Sequence, residues 1–98
     1  MIVVRDIFNL KFGKAKDAKA LLKEGMEINK KFGFTEGRAL TDLTGESYRL
    51  ILESEWESLS HWENAMKDGL SNPEWGKWYQ KFVPLIERAS REILNVAQ

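Results

Sequence analysis

Asp6 stands where a strand ought to be apolar. Ile2, Val4, Phe8, Leu10 and Phe12 share its face of an alternating segment. A carboxylate among such neighbours must be paired, or it must hold its proton. Asp6 is therefore a candidate general acid or base, and Arg38 or Tyr48 is placed to reach it across a sheet. The alternative is a satisfied structural pair or a sheet edge open to water. His61 is the only histidine. Imidazole suits proton transfer near neutral pH, so His61 is the second catalytic candidate. It lies beside the apolar stripe of a helix rather than in it, which equally fits an exposed first-turn residue. One histidine and no cysteine supply no ligand set for a metal, and none is expected.

The aromatic residues offer a surface rather than a reaction. In residues 72–86, Asn72 suits an N-cap and Pro73 the first helical position. Trp75, Trp78, Tyr79, Phe82 and Ile86 then recur at helical spacing. Together with Trp56 and Trp62 they either line a pocket for a flat aromatic ligand or pack as core between helices and sheet. The pocket expected here is lined by Asp6, Arg38, Tyr48, Trp62 and Trp78, and its ligand is a small apolar or aromatic molecule.

The elements that must position these groups follow from periodicity. Residues 2–12 alternate and end at Gly13, as a strand does. From Lys14 to Phe32 the spacing is helical, with Ala18, Leu21, Gly25, Ile28 and Phe32 in one stripe and Gly33 as a left-handed cap. Phe34 to Leu43 is a weaker strand. Thr44-Gly45 marks a hairpin turn whose register stays open. Ser47 to Trp56 is a strand with Tyr48, Leu50, Leu52 and Trp56 on one face. Ser58 or Ser60 caps a helix carrying Leu59, Trp62, Met66 and Leu70, and Ser60 with Glu63 has capping-box spacing. The aromatic helix stops near Pro84, and Arg91 to Ala97 is the last strand.

The order β-α-β-β-α-α-β packs most economically as an α+β domain spanning residues 1–98, an antiparallel sheet with helices on one face. The other face is expected to carry Val3, Ile7, Ile51, Ile93 and Ala97 among Arg5, Asn9, Arg49, Glu53, Arg91 and Asn95. That is too apolar for water and too polar for a dry core. A second copy of the chain, sheet against sheet, fits it.

Fifteen basic residues balance fifteen acidic ones, so the net charge is zero. That argues against nucleic acid or an anionic membrane as partner. Tyr48-Arg49-Leu50-Ile51-Leu52 also lacks the pattern of an RNA-reading strand. No segment has the length of an apolar membrane span or of a signal-peptide core. The absence of cysteine fits a cytoplasmic protein.

The run from Trp56-Glu57-Ser58 to Asn72-Pro73-Glu74-Trp75 resembles the NIPSNAP and antibiotic-biosynthesis-monooxygenase-like branches of the dimeric α/β-barrel superfamily. There a strand ends in an aromatic and a helix follows. A polar-Pro-Glu turn then opens an aromatic helix. The resemblance implies a ferredoxin-like subunit whose sheet pairs with its twin into a β-barrel. It also implies a pocket between sheet and helices, and a range of activities that includes cofactor-free oxygenation. Three functions stay open: a small enzyme on an apolar or aromatic substrate with no bound cofactor, a non-catalytic ligand-binding or scaffold dimer, and a haem-binding or haem-degrading protein. For the last, Asn9 and Trp62 resemble the strand Asn and helix Trp of haem-degrading relatives. Their axial histidine, downstream of that Trp, has no counterpart, because His61 precedes Trp62.

Overall fold

The computed structural model describes residues 1–31, 37–46 and 48–97, with the side chain of Leu70 outside the description. The element order is β1 (Ile2–Leu10), α1 (Ala15–Lys31), β2 (Arg38–Thr41), β3 (Arg49–Trp56), α2 (Leu59–Leu70), α3 (Pro73–Phe82), a 3-10 turn (Val83–Leu85) and β4 (Ile86–Asn95). The strands form one antiparallel sheet in the order β2-β3-β1-β4. This is the α+β arrangement expected from the periodicity, in the ferredoxin-like form that the resemblance implies. The expected Gly33 cap and the start of a strand at Phe34 lie outside the described residues, as do Phe32 and Ser47.

Register divides the sheet into two chemically different faces. Val4 sits between Ser54 and Ile93, Asp6 between Leu52 and Arg91, and Phe8 between Leu50 and Ala89. Directly opposed residues share a face, so the even positions of β1 and β3 lie with the odd positions of β4. The helices cover this side. Leu10, Leu50, Trp78 and Phe82 are buried there with Ala18 and Ile28 of α1. Phe8 meets Phe82 edge to face at 5.0 Å. Phe12 falls beyond β1 and is 88% exposed, so it is not part of this core.

The helix-free face shows rows that run across the strands. One row is Leu40, Ile51, Ile7 and Ser90; the next is Arg38, Glu53, Arg5 and Glu92. Val3 and Leu94 extend the apolar part near one end. Ile93, Arg91 and Asn95 lie on the helix side, contrary to expectation. The pairing of Ile2 with Asn95 and Val4 with Ile93 reverses the assumed parity of β4. The strand also begins five residues earlier than its hydrophobic pattern suggests. The 3-10 turn at Pro84 feeds directly into it, and Ile86 pairs with Leu10 across a register shift.

Helix ends follow local chemistry. Asn72 accepts from the Glu74 amide at 2.8 Å, with Pro73 in the first turn. Ser58, rather than Ser60, caps α2 by accepting from the His61 amide at 3.1 Å. The aromatic helix docks on α1 through Trp78, whose Nε1 donates to the Leu21 carbonyl at 2.7 Å.

Candidate functional site

Asp6 and Trp62 are brought together, and the group that joins them is Arg91. Asp6 sits midway along β1 on the helix side. Arg91, its direct neighbour on β4, donates through Nε to Oδ1 of Asp6 at 2.5 Å. The guanidinium carbon of Arg91 lies 5.0 Å from the ring centroid of Trp62, which α2 holds over the sheet. A cation against an indole face is attracted by the ring quadrupole. One guanidinium therefore satisfies a carboxylate and an aromatic surface at once. The carboxylate that the sequence flagged as needing a partner has one, and it is neither Arg38 nor Tyr48.

This cluster is open to solvent. The side chains of Asp6 and Arg91 are 27% and 49% exposed. Along β4, the helix-facing Ala89, Arg91, Ile93 and Asn95 are all exposed. The helices bury the β1–β3 half of the sheet and leave a strip of β4 uncovered. Trp62 forms a wall of that strip.

The other expected site residues lie elsewhere. Arg38 is on the helix-free face, where it and Arg5 both bind Glu53, at 2.6 and 2.7 Å. Their hydrogen bonds, Arg5 first and then Arg38, hold the Glu53 carboxyl below its usual range; burial opposes this and is the smaller effect. Trp78 is 2% exposed. Its ring stacks between Trp75 at 4.9 Å and Phe82 at 4.8 Å, so it is core. His61 is exposed in the first turn of α2 with its ring against Trp56 at 5.3 Å. Trp56 pairs with Ile2, four residues along β1 from Asp6, or about 13 Å at the rise of a strand. The two catalytic candidates are thus not neighbours. Asn9 faces the helix-free side and donates to Glu46 at 3.2 Å, whereas Trp62 is on the helix side. The Asn–Trp pair suggested by haem-degrading proteins is not assembled.

Tyr48 lies at the far end of the sheet. It holds φ +66°, a left-handed conformation rare for an aromatic residue. Its carbonyl accepts from the Leu10 amide at 2.8 Å, and its ring meets Phe12 at 5.3 Å. Tyr48 lines a cavity of about 310 Å³ under the β2–β3 loop, floored by Leu10, Ala18 and Leu50. Asp42 and Arg49 form one wall, joined by Arg49 Nη2 to Oδ1 at 2.8 Å. That hydrogen bond holds the Asp42 carboxyl below its usual range. The expected five-residue pocket is therefore divided. Asp6 and Trp62 share one place, Tyr48 lines another, Trp78 is core, and Arg38 faces the opposite side.

Arg91 is the residue that sequence reasoning missed. Placing it on the other face hid it. The signal that would have found it is the need of Asp6 for a cation, applied to every strand next to β1. Among the described residues there is no group of three or more His, Cys, Asp or Glu side chains able to hold a metal ion. No described helix is long and apolar enough to cross a membrane.

No protein-family model matches the sequence, and no match to a curated protein reaches significance. Solved structures do match. An Agrobacterium tumefaciens NIPSNAP family protein superposes with TM-score 0.91 at 19% identity, covering 99% of this chain and 93% of that one. An uncharacterized NIPSNAP domain protein from Burkholderia xenovorans gives 0.87 at 18% identity, over 99% and 95% of the two chains. A candidate antibiotic biosynthesis monooxygenase from Nitrosomonas europaea gives 0.75 at 12% identity, over the whole of both chains. At these identities the likeness is one of fold, and the fold is the one the resemblance in sequence implied.

Proposed function

We propose that two copies of the chain associate through the helix-free face of the sheet. In each, a small apolar or aromatic molecule binds on the helix side against Trp62 and Arg91. The observation that carries the binding reading is the contact of one half-exposed guanidinium with both Asp6 and Trp62 beside an uncovered strip of β4. Its fold, similar to that of monooxygenase candidates, supports a small organic ligand. The row Leu40, Ile51 and Ile7, set beside a row in which Arg5 and Arg38 share the Glu53 carboxylate, supports the dimer. An apolar band is buried by a second copy, and the mixed charges at its edge, Arg5, Arg38, Glu53 and Glu92, can lie at the polar rim of that interface.

On this reading Asp6 is a positioning residue. It fixes Arg91 rather than moving a proton. Oxygenation without a bound cofactor is the enzymatic form of the proposal, and a cytoplasmic location goes with it. The alternative is a scaffold dimer with no ligand. The observation favouring it is that Trp75, Trp78 and Phe82 are committed to packing one another.

Calorimetric titration with 2-naphthamide, a flat neutral probe, tests the placement. Trp62→Ala should weaken binding about tenfold, since an aromatic contact is lost. Affinity unaltered by Trp62→Ala contradicts the placement.

A further inference from the structure

Arginine carries five N–H donors in a rigid plane. Arg91 spends its Nε donor on Asp6, and among the described residues its four Nη donors have no acceptor. Spare donors alone do not set it apart, since Arg5 also donates only through Nε; its company does. Arg5 and Arg38 converge on Glu53. Arg49 engages Asp42 through both Nε and Nη2. Arg88 reaches Glu46 at 3.7 Å. Arg91 alone among them lies over an indole face, with its guanidinium carbon 5.0 Å from the Trp62 centroid. A planar fork held at Nε, with its Nη donors to spare, matches the two oxygens of a carboxylate.

The surroundings limit the rest of the ligand. Ala89 and Ile93 flank Arg91 on the same side of β4, and both are exposed. Ile93 is 43% exposed although its neighbour on β1, Val4, is almost completely buried. A molecule held at Arg91 by a carboxylate would lay its apolar body along this strip, with Trp62 as a wall. We infer that the helix-side site takes an aromatic or apolar carboxylate, anchored by the Nη edge of Arg91. The inference rests on the binding site proposed above and adds the chemical class of its ligand. Asp6 has a second consequence here. It orders the guanidinium, but its own negative charge sits beside the incoming carboxylate and limits affinity.

The experiment compares 2-naphthoate with 2-naphthamide by calorimetry on the full chain. The two probes share a ring system and differ in charge and in the paired oxygens. Naphthoate should bind about tenfold more tightly, as expected for a charge-assisted pair over a neutral one. In Arg91→Gln that preference should vanish, because naphthoate loses far more affinity than naphthamide. In Asp6→Asn the preference for naphthoate over naphthamide should grow beyond that of the wild-type chain, because the competing negative charge is gone. This second variant keeps the test decisive if Arg91→Gln fails to fold. Equal affinity for both probes, with both weakened by Trp62→Ala, overturns the carboxylate assignment and leaves the site standing. A naphthoate preference that survives Arg91→Gln also overturns it. Failure of both probes to respond to Trp62→Ala removes the site itself, and the assignment with it.

Discussion

Trp78 lies so close to Gly25 that a Cβ there would stand 2.8 Å from Cε2 and Cζ2 of the indole and 3.0 Å from Nε1. The same ring donates to the Leu21 carbonyl one turn earlier in α1. A glycine inside a helix normally lowers stability, because alanine is the better helix former by about 1 kcal/mol. At this position the close approach of α3 to α1 decides the opposite sign. The obstructing atoms belong to a rigid ring that is buried on its other faces. Gly25→Ala should therefore destabilise the protein by about 1–3 kcal/mol net of the propensity gain. Urea unfolding of the two proteins checks this.

Truncating the ring itself should cost more. Trp78→Ala removes the stack with Trp75 and Phe82 and leaves the Leu21 carbonyl without its indole donor. The expected loss is roughly 3–5 kcal/mol, read from the same unfolding curves. A melting temperature unaltered by Trp78→Ala would mean that the aromatic helix is not packed as described.

Glu53 gives the stability a pH dependence on the acid side. Its carboxyl is held below the ordinary value of 4.5 by hydrogen bonds from Arg5 and then Arg38. The unfolded chain thus binds this proton more readily than the folded one. The contribution is complete above 4.5 and declines as the pH falls through the lower folded value. Glu53→Gln should flatten the acid limb of a stability–pH curve and leave its neutral part less affected by pH. Thermal melts from pH 7 to pH 2.5, with and without the substitution, provide the comparison.

The helix-free face should associate. A sheet-to-sheet dimer should bury on the order of 1,200 Å² or more. Light scattering should give twice the mass of the chain, 11.4 kDa, at micromolar concentration. Ile51 lies in the apolar row between Leu40 and Ile7. Ile51→Glu should shift the mass toward that of the single chain, because it places a charge in the middle of the band.

The fold was readable because its signals are local. Alternation in β1, the stripe Ala18–Gly25–Ile28, and the Asn72–Pro73 start of α3 each depend on a few neighbouring residues. The site was less readable because it depends on pairing between distant strands. Residues 86–90 belong to β4 although Glu87, Arg88 and Ser90 give them little hydrophobic alternation; pairing with Phe8 and Asn9 extends the strand there. One step of parity on β4 then decides whether Arg91 or Glu92 meets the helices, and nothing within the strand fixes that step. Asp6 needs a partner on sequence grounds alone, and it has one in Arg91. The expected parity of β4 puts Arg91 on the far face and so hides that partner. Tyr48 fits the alternation of a regular strand, whereas its left-handed backbone turns it toward Phe12 and the loop cavity.

The central claim is that ligand binds at Trp62 and Arg91, on the helix side of β4. The four tryptophan indole N–H groups make it directly measurable. In a ¹H–¹⁵N correlation spectrum with assigned indole signals, titration with 2-naphthoate should move the Trp62 signal and the backbone amides of Arg91 and Ile93. The Trp78 indole, bonded to Leu21 in the core, should stay in place. Shifts confined to Tyr48, Arg49 and Leu50, with Trp62 unmoved, would put the ligand in the loop cavity and contradict the account.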